Sequence, residues 1–320
     1  MYLERNGLCR KQMKEKKLDP RLVSTLKSTD TEEFIDIWFY RPVGYRHALI
    51  FRKLGVSPNM VTVASIFIGV AAGILFYFDD LLMNVAGMAL LVWANIYDST
   101  DGQLARMTGK QSPVGRMLDG ASGDLWFISI YAAVCLRLMP EWSIWIWCLA
   151  AVTGFCHTKQ AAMADYYRNI HLLFLKGKAG SELSHSVAVK ENLEKLTWRH
   201  HFARKAFERL YLNYTVGQEA LSPKFQAMMR VIREKYDGEA PDGFRQAFRV
   251  KSLPLMKYTN MLSFNTRVIA LFISLFINIP WLYFVFELTV LNGMFFYMVR
   301  THERICKQFT PQLEAQTFAQ

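Results

Sequence analysis

Six apolar runs constrain this chain more than any other feature, because several approach the roughly 20 residues that a helix needs to cross a bilayer. They are Met60 to Phe78, Leu81 to Tyr97, Leu125 to Leu138 and Trp142 to Ala164, followed by two shorter halves of Phe264 to Val299 that meet at the turn Asn278-Ile279-Pro280. The pattern predicts an all-α polytopic membrane protein with six transmembrane helices. A formal net charge of +11 would suggest nucleic acid for a soluble protein, but here Lys and Arg gather between the runs. Cytoplasmic loops carry that excess, so no nucleic-acid partner is expected. Basic groups flank alternate ends of the runs, whereas Asp79-Asp80, Pro140-Glu141 and Asn278-Pro280 lie at the others. The alternation predicts a multi-pass protein of the cytoplasmic (inner) membrane with both termini on the cytoplasmic side.

The rest of the chain divides around these runs. Residues 1–30 form a basic arm with Arg10, Lys11, Lys14, Lys16 and Lys17. Residues 31–54 interleave Phe34, Ile37, Trp38, Leu49 and Ile50 with Arg41, Arg46, Arg52 and Lys53, as in an amphipathic helix lying at the membrane surface or one packed on protein. Residues 55–168 hold the first four spans, 169–262 a cytoplasmic helical insertion, 263–300 the last two spans and 301–320 a charged tail. Within the insertion, Phe225, Met228, Met229, Ile232 and Tyr236 recur at helical spacing after Ser222-Pro223. The first 50 residues lack an apolar core, so no cleavable signal peptide is expected. Five scattered cysteines without paired spacing predict free thiols.

Four carboxylates, Asp98, Asp101, Asp119 and Asp124, stand beside the second and third runs, where charge is costly and usually functional. Asp98 and Asp101 are three apart, so on a continuous helix their β-carbons come within about 5–6 Å. Carboxylates so close repel one another unless a cation intervenes, and hard oxygen ligands favour Mg²⁺ or Mn²⁺. If the helix starting near Asp119 packs back across the 107–116 loop, three or four carboxylates converge, as suits two ions on a diphosphate. Gly102, Ala105 and Gly115 leave room for a flat ligand, and Arg106 offers a fork for a phosphate oxygen. Taken alone, either Asp pair could merely cap helices.

The spacing resembles the signature of the CDP-alcohol phosphatidyltransferase family, D-x2-D-G-x2-A-R-x8-G-x3-D-x3-D, through Asp98, Asp101, Gly102, Ala105, Arg106, Gly115 and Asp119. Seven such matches at fixed spacing arise by chance with a frequency on the order of 10⁻⁸ per start position at average residue usage. The resemblance covers about residues 30–168, including Arg41-Pro42 and Pro58-Asn59 with Thr62. It implies six membrane helices around a polar cytoplasm-facing cavity, preceded by an interfacial helix. It also implies Mg²⁺-dependent transfer from a CDP-activated donor to an alcohol with release of CMP. Asp98, Asp101, Asp119 and Asp124 would hold the ions, and Asn59, Thr62, Gly102, Ala105, Arg106 and Gly115 would line the CDP site. A homodimer follows from the resemblance alone.

One position departs from the signature. The last Asp is expected four residues after Asp119, yet Gly123 stands there and Asp124 follows. A fifth neighbour on an ideal helix lies about 140° round from Asp119, against roughly 40° for a fourth. A π turn, eased by Gly120 and Gly123, would return Asp124 to the required face as the general base. Beyond the fourth run, His157, Lys159 and Arg168 are candidate acceptor-binding residues, or else the polar exit of a helix. A basic acceptor pocket resembles those of phosphatidylinositol-phosphate synthase-like members. The reading is transfer of a phosphatidyl group from CDP-diacylglycerol to a small polyol or polyol phosphate, in phospholipid biosynthesis. The alternatives are a soluble CDP-polyol donor, a catalytically inactive lipid-binding scaffold and, more remotely, a cation transporter.

Overall fold

The computed structural model describes residues 28–110, 113–199 and 201–318, so nearly all of the basic arm lies outside the described residues. They are helical, with no strand among them. By length and composition, five helical stretches can cross a membrane: Pro58–Leu75, Leu81–Thr108, Leu118–Trp142, Asp242–Phe276 and Trp281–Glu314. The fourth apolar run is not among them. Helix Trp145–Lys176 carries it, and His157, Thr158, Lys159 and Gln160 break its apolar stretch after twelve residues.

The chain forms two compact units, residues 1–152 with 268–285, and 153–267 with 286–320. In the first, a π turn at Asp36–Tyr40 leads into α1 (Arg41–Lys53), which leaves Phe34, Trp38, Ile50 and Leu54 exposed. Ser57 caps α2 (Pro58–Leu75) by accepting the Met60 N–H, and Pro58 takes the first turn, where its missing donor costs nothing. Asp80 caps α3 (Leu81–Thr108) through the Met83 N–H at 2.9 Å, and Gly109 ends it at φ +65°. The second apolar run therefore continues as helix through Asp98 and Asp101.

Helix α4 (Pro113–Trp142) packs on α2 where Gly69 and Gly73 remove bulk. The Trp126 indole fills the space over Gly69 and donates to Ser65 O at 3.1 Å, while Ser129 Oγ donates to Val70 O at 3.0 Å. At the other end of these helices, Arg137 donates to Phe76 O, Asn84 Oδ1, Asp79 Oδ1 and Asn278 Oδ1. Asn278 turns the chain at φ +56°, a conformation that Asn tolerates.

The second unit is built on the distal half of α5 (Trp145–Lys176). Its core joins Tyr167 and Phe174 to Phe225, Phe244, Phe248 and Met298. The insertion supplies α6 (Ser186–Glu194), α7 (Phe202–Ala220), α8 (Pro223–Lys235) and α9 (Asp242–Ser252). Phe225, Met228, Met229 and Ile232 are the buried face of α8, as their spacing predicts. Ser222 does not cap that helix. Glu303 does, accepting the Lys224 and Phe225 N–H groups at 2.7 and 3.3 Å. A second π turn, Glu287–Leu291, precedes the last helix, Asn292–Glu314. Its Glu287 is fully buried, with an oxygen 2.9 Å from Arg267 Nη1 and another 3.4 Å from His157 Nδ1. Gln160 completes this network, accepting from Arg267 Nη2 at 2.8 Å and donating to Asn292 Oδ1 at 2.7 Å.

Candidate active site

Asp98 and Asp101 sit one turn apart on α3, and Asp119 lies near the start of α4. The turn beginning at Gly109 sends the chain back, and carboxylate oxygens of all three come within 4.8 Å of one another. Asp101 is buried, Asp98 half-buried and Asp119 exposed, so the group opens on the Asp119 side. Two hydroxyls hold its inner members. Thr62 Oγ1 donates to Asp101 Oδ2, and Ser122 Oγ lies 2.9 Å from Asp98 Oδ1 and 2.7 Å from Asp119 O. Thr62, expected in the CDP site, is thus committed to orienting a carboxylate. Ser122 is absent from the sequence reading, although its place one turn after Asp119 puts it on the same face.

Arg41 borders the group through Ser99, with Nη1 3.4 Å from Ser99 Oγ, while its carbonyl accepts from Gln103 Nε2 at 3.1 Å. Burial disfavours its charge, but the Glu32 carboxylate, bonded to Nε at 3.0 Å and Nη2 at 3.2 Å, outweighs that and holds the pKa above the usual guanidinium value. Arg106 folds back over Gly102, its Nη2 3.4 Å from where a β-carbon would stand. Ala105, Gly115 and Asn59 are half-buried. Three hard oxygen donors at this separation suit Mg²⁺ or Mn²⁺, because carboxylates held so close repel one another unless a cation lies between them.

Asp124 does not join this group. Pro113–Trp142 is α-helical throughout, so the π turn expected between Asp119 and Asp124 is not formed, and Asp124 is exposed. With nothing within 4 Å of either would-be β-carbon, Gly120 and Gly123 meet no packing that would force an extra residue into the turn.

The three acceptor candidates part company within the second unit. His157 is taken up by the Glu287 and Arg267 network. Lys159 borders a cavity of about 230 Å³ with Thr158, Asn213, Tyr214 and Gln218. Arg168 donates to Ser263 Oγ at 2.7 Å, and its buried Nε has no hydrogen-bond partner among the described residues. Another close group, His302, Glu303 and Cys306, is explained by packing. The His302 ring stacks on Tyr167 at 3.9 Å, and Glu303 is the cap of α8.

Residues 55–172 match the family model described as CDP-alcohol phosphatidyltransferase. The chain is 35% identical over 92 residues to archaetidylinositol phosphate synthase of Pyrococcus horikoshii, covering 29% of this chain and 47% of that protein. It is 28% identical over 98 residues to the bifunctional IPC transferase and DIPP synthase of Aquifex aeolicus, covering 31% of this chain and 22% of that protein. The chain therefore spans less than half the length of these curated relatives. The matched segment contains α2 to α4 with all four carboxylates, and residues 55–172 of this chain thus carry a CDP-alcohol phosphatidyltransferase domain.

Proposed function

We propose that this chain is a membrane phosphotransferase that moves a phosphatidyl group from CDP-diacylglycerol to a small polyol or polyol phosphate and releases CMP. The convergence of Asp98, Asp101 and Asp119 at the family's spacing carries the reading. Those three side chains would hold the divalent ions, which when bound neutralise and orient the donor's diphosphate. Thr62 and Ser122 fix the carboxylates in place, so little reorganisation accompanies substrate binding. Asn59, Gly102, Ala105, Arg106 and Gly115 are assigned to the CDP moiety, with the Arg106 fork on a phosphate oxygen.

Asp124 is assigned the base role alone, taking the proton of the acceptor hydroxyl as its oxygen forms the new bond to phosphorus and the CMP oxygen leaves. On the regular helix Asp124 stands about 140° round from Asp119, so the assignment rests on the resemblance to the family and not on the geometry. For an anionic acceptor we assign Lys159 and Arg168; His157 acts through the buried network that holds its ring. Six spans, the interfacial placement of residues 31–54, cytoplasmic termini and a homodimer belong to the same proposal. The relative named as a bifunctional IPC transferase and DIPP synthase favours a second reading, in which a soluble CDP-polyol is the donor.

The test is CMP release by the full chain in lipid nanodiscs, with CDP-diacylglycerol, Mg²⁺ and inositol, inositol phosphate, glycerol phosphate or serine in turn. Release with one acceptor, falling by about 10²- to 10⁴-fold in Asp124→Asn, is expected. Unchanged release in Asp124→Asn would move the base elsewhere. Release only with a CDP-polyol would favour the second reading. Absence of both release and Mg²⁺-dependent CDP binding would overturn the assignment and leave a noncatalytic scaffold.

A further inference from the structure

The insertion contains a helix turned the wrong way for a water-soluble subdomain. Along α7 (Phe202–Ala220), the side chains facing the protein include Tyr211, Thr215 and Gln218, whereas Phe202 is 69% exposed, Leu210 68% and Val216 48%. At 100° per residue, Phe202, Arg209, Leu210, Asn213, Val216 and Ala220 fall on one side, with Tyr214 at its edge. The exposed charge on this side, Arg209, is positive, and the other exposed charge on the helix, Arg204, lies on the opposite side. Its acids are only partly exposed, and Glu219 is occupied by Ser186 N and Oγ. Just before the helix, exposed Trp198 lies 5.7 Å from the Phe202 ring, with Lys205 Nζ 5.5 Å from the Trp198 ring centre.

We propose that α7 lies in the membrane surface, its Phe202, Leu210 and Val216 side towards the acyl chains and the Arg209 guanidinium on anionic headgroups. Trp beside cations is the chemistry of the headgroup layer, and a largely apolar face that carries Arg209, with Lys205 at its edge, complements an anionic lipid surface. Depth supports the same occupant. Gln218 Nε2 donates to Ala162 O at 2.8 Å, tying the end of α7 to α5 where the fourth apolar run gives way to polar residues. The inference rests on the reading of α5 as a membrane helix. The insertion then grips the bilayer independently of the interfacial segment at residues 31–54.

Nitroxide labels test it in the full chain, in nanodiscs of phosphatidylcholine and phosphatidylglycerol, after Cys9→Ser, Cys148→Ser and Cys156→Ser. Labels are placed singly at Leu210→Cys, at exposed Phe155→Cys on α5 and at exposed Glu191→Cys on α6, and relaxation by oxygen is compared with relaxation by a water-soluble nickel chelate. The expected result is a Leu210 label that follows oxygen like the Phe155 label, with the Glu191 label following nickel. Arg209→Glu should shift the Leu210 label towards nickel, the lost contact being worth about fivefold in the docked population. A nickel-accessible Leu210 label beside an oxygen-accessible Phe155 label overturns the inference and leaves α5 in the membrane. Nickel access at both overturns the reading of α5 as well. A Leu210 label shielded from both reagents means that protein covers the face, and also overturns it.

Discussion

Gly69→Ala should loosen the carboxylate group from some distance away. A β-carbon at Gly69 would stand 2.2 Å from Trp126 Cδ1, 2.3 Å from Nε1 and 2.6 Å from Cγ, where ordinary contact needs 3.4–4 Å. The ring must therefore withdraw by about 1.2 Å, and it is itself buried, at 2% exposure. Overpacking of this kind costs about 1–3 kcal/mol. The Trp126 bond to Ser65 O, 3.1 Å before the change, lengthens beyond usefulness for another 0.5–1.5 kcal/mol or so. Replacing Gly by Ala within a helix returns about 0.8–1 kcal/mol, leaving a net loss near 2 kcal/mol. Asp119 lies two turns before Trp126 on α4, so a shift of α4 separates it from Asp98 and Asp101. A misplacement of about 1 Å costs on the order of 10²-fold in rate. Unfolding by a denaturing detergent, followed by circular dichroism, measures the first effect, and CMP release the second. Adding Trp126→Leu should recover part of the stability, with a coupling of at least about 1 kcal/mol. A Gly69→Ala protein with wild-type stability and CMP release would refute the argument that this glycine sets the spacing of α2 and α4.

Asp98→Asn, Asp101→Asn and Asp119→Asn should each lower CMP release by about 10³-fold, and a chelator should abolish it in the unaltered protein, as an assay over a range of Mg²⁺ concentrations would show. Glu287→Gln should destabilise the second unit by about 3–5 kcal/mol, because Arg267 stays buried without its counter-charge. Arg267→Met with Glu287→Met should recover most of that loss in the same detergent titration. Glu303→Ala strips the cap from α8 and should cost about 1–2 kcal/mol, with faster amide exchange at Lys224 and Phe225 as its local sign.

How much of this was legible in the chain follows from the range of each interaction. Local chemistry is readable: Pro58 and Pro223 open helices, Asn278 makes a turn, and Asp98 and Asp101 share a helix face because their separation is close to one turn. The carboxylate group was legible because three short-range facts, a helix, a turn and a second helix, combine to bring Asp119 back. The fourth run is the hardest to read, since apolar residues on both sides of His157 to Gln160 hide how early the helix becomes polar. The network of Arg267, Glu287 and His157 was not legible, as its members are separated by up to 130 residues and each alone resembles a snorkelling charge. π turns resist reading for another reason. The one expected near Asp124 is absent, while those at Asp36–Tyr40 and Glu287–Leu291 lie in sequences whose apolar pattern passes through without a break. Thr62 and Ser122 show that the residue can be found while its partner is missed.

Arg137 anchors α4 at the end away from the carboxylates, as the Ser122 bond to Asp98 anchors it beside them. Its guanidinium ties the end of α2, the start of α3 and the Asn278 turn to α4, whereas Asp119 lies eighteen residues back along the same helix, about 27 Å away. Over that lever arm a tilt of only about 4° carries Asp119 through roughly 2 Å, enough to open or close a group of carboxylates on an ion. Held at both ends of that arm, by Arg137 and by the Ser122 bond to Asp98, α4 resists such a tilt and keeps Asp119 at its spacing before a diphosphate binds.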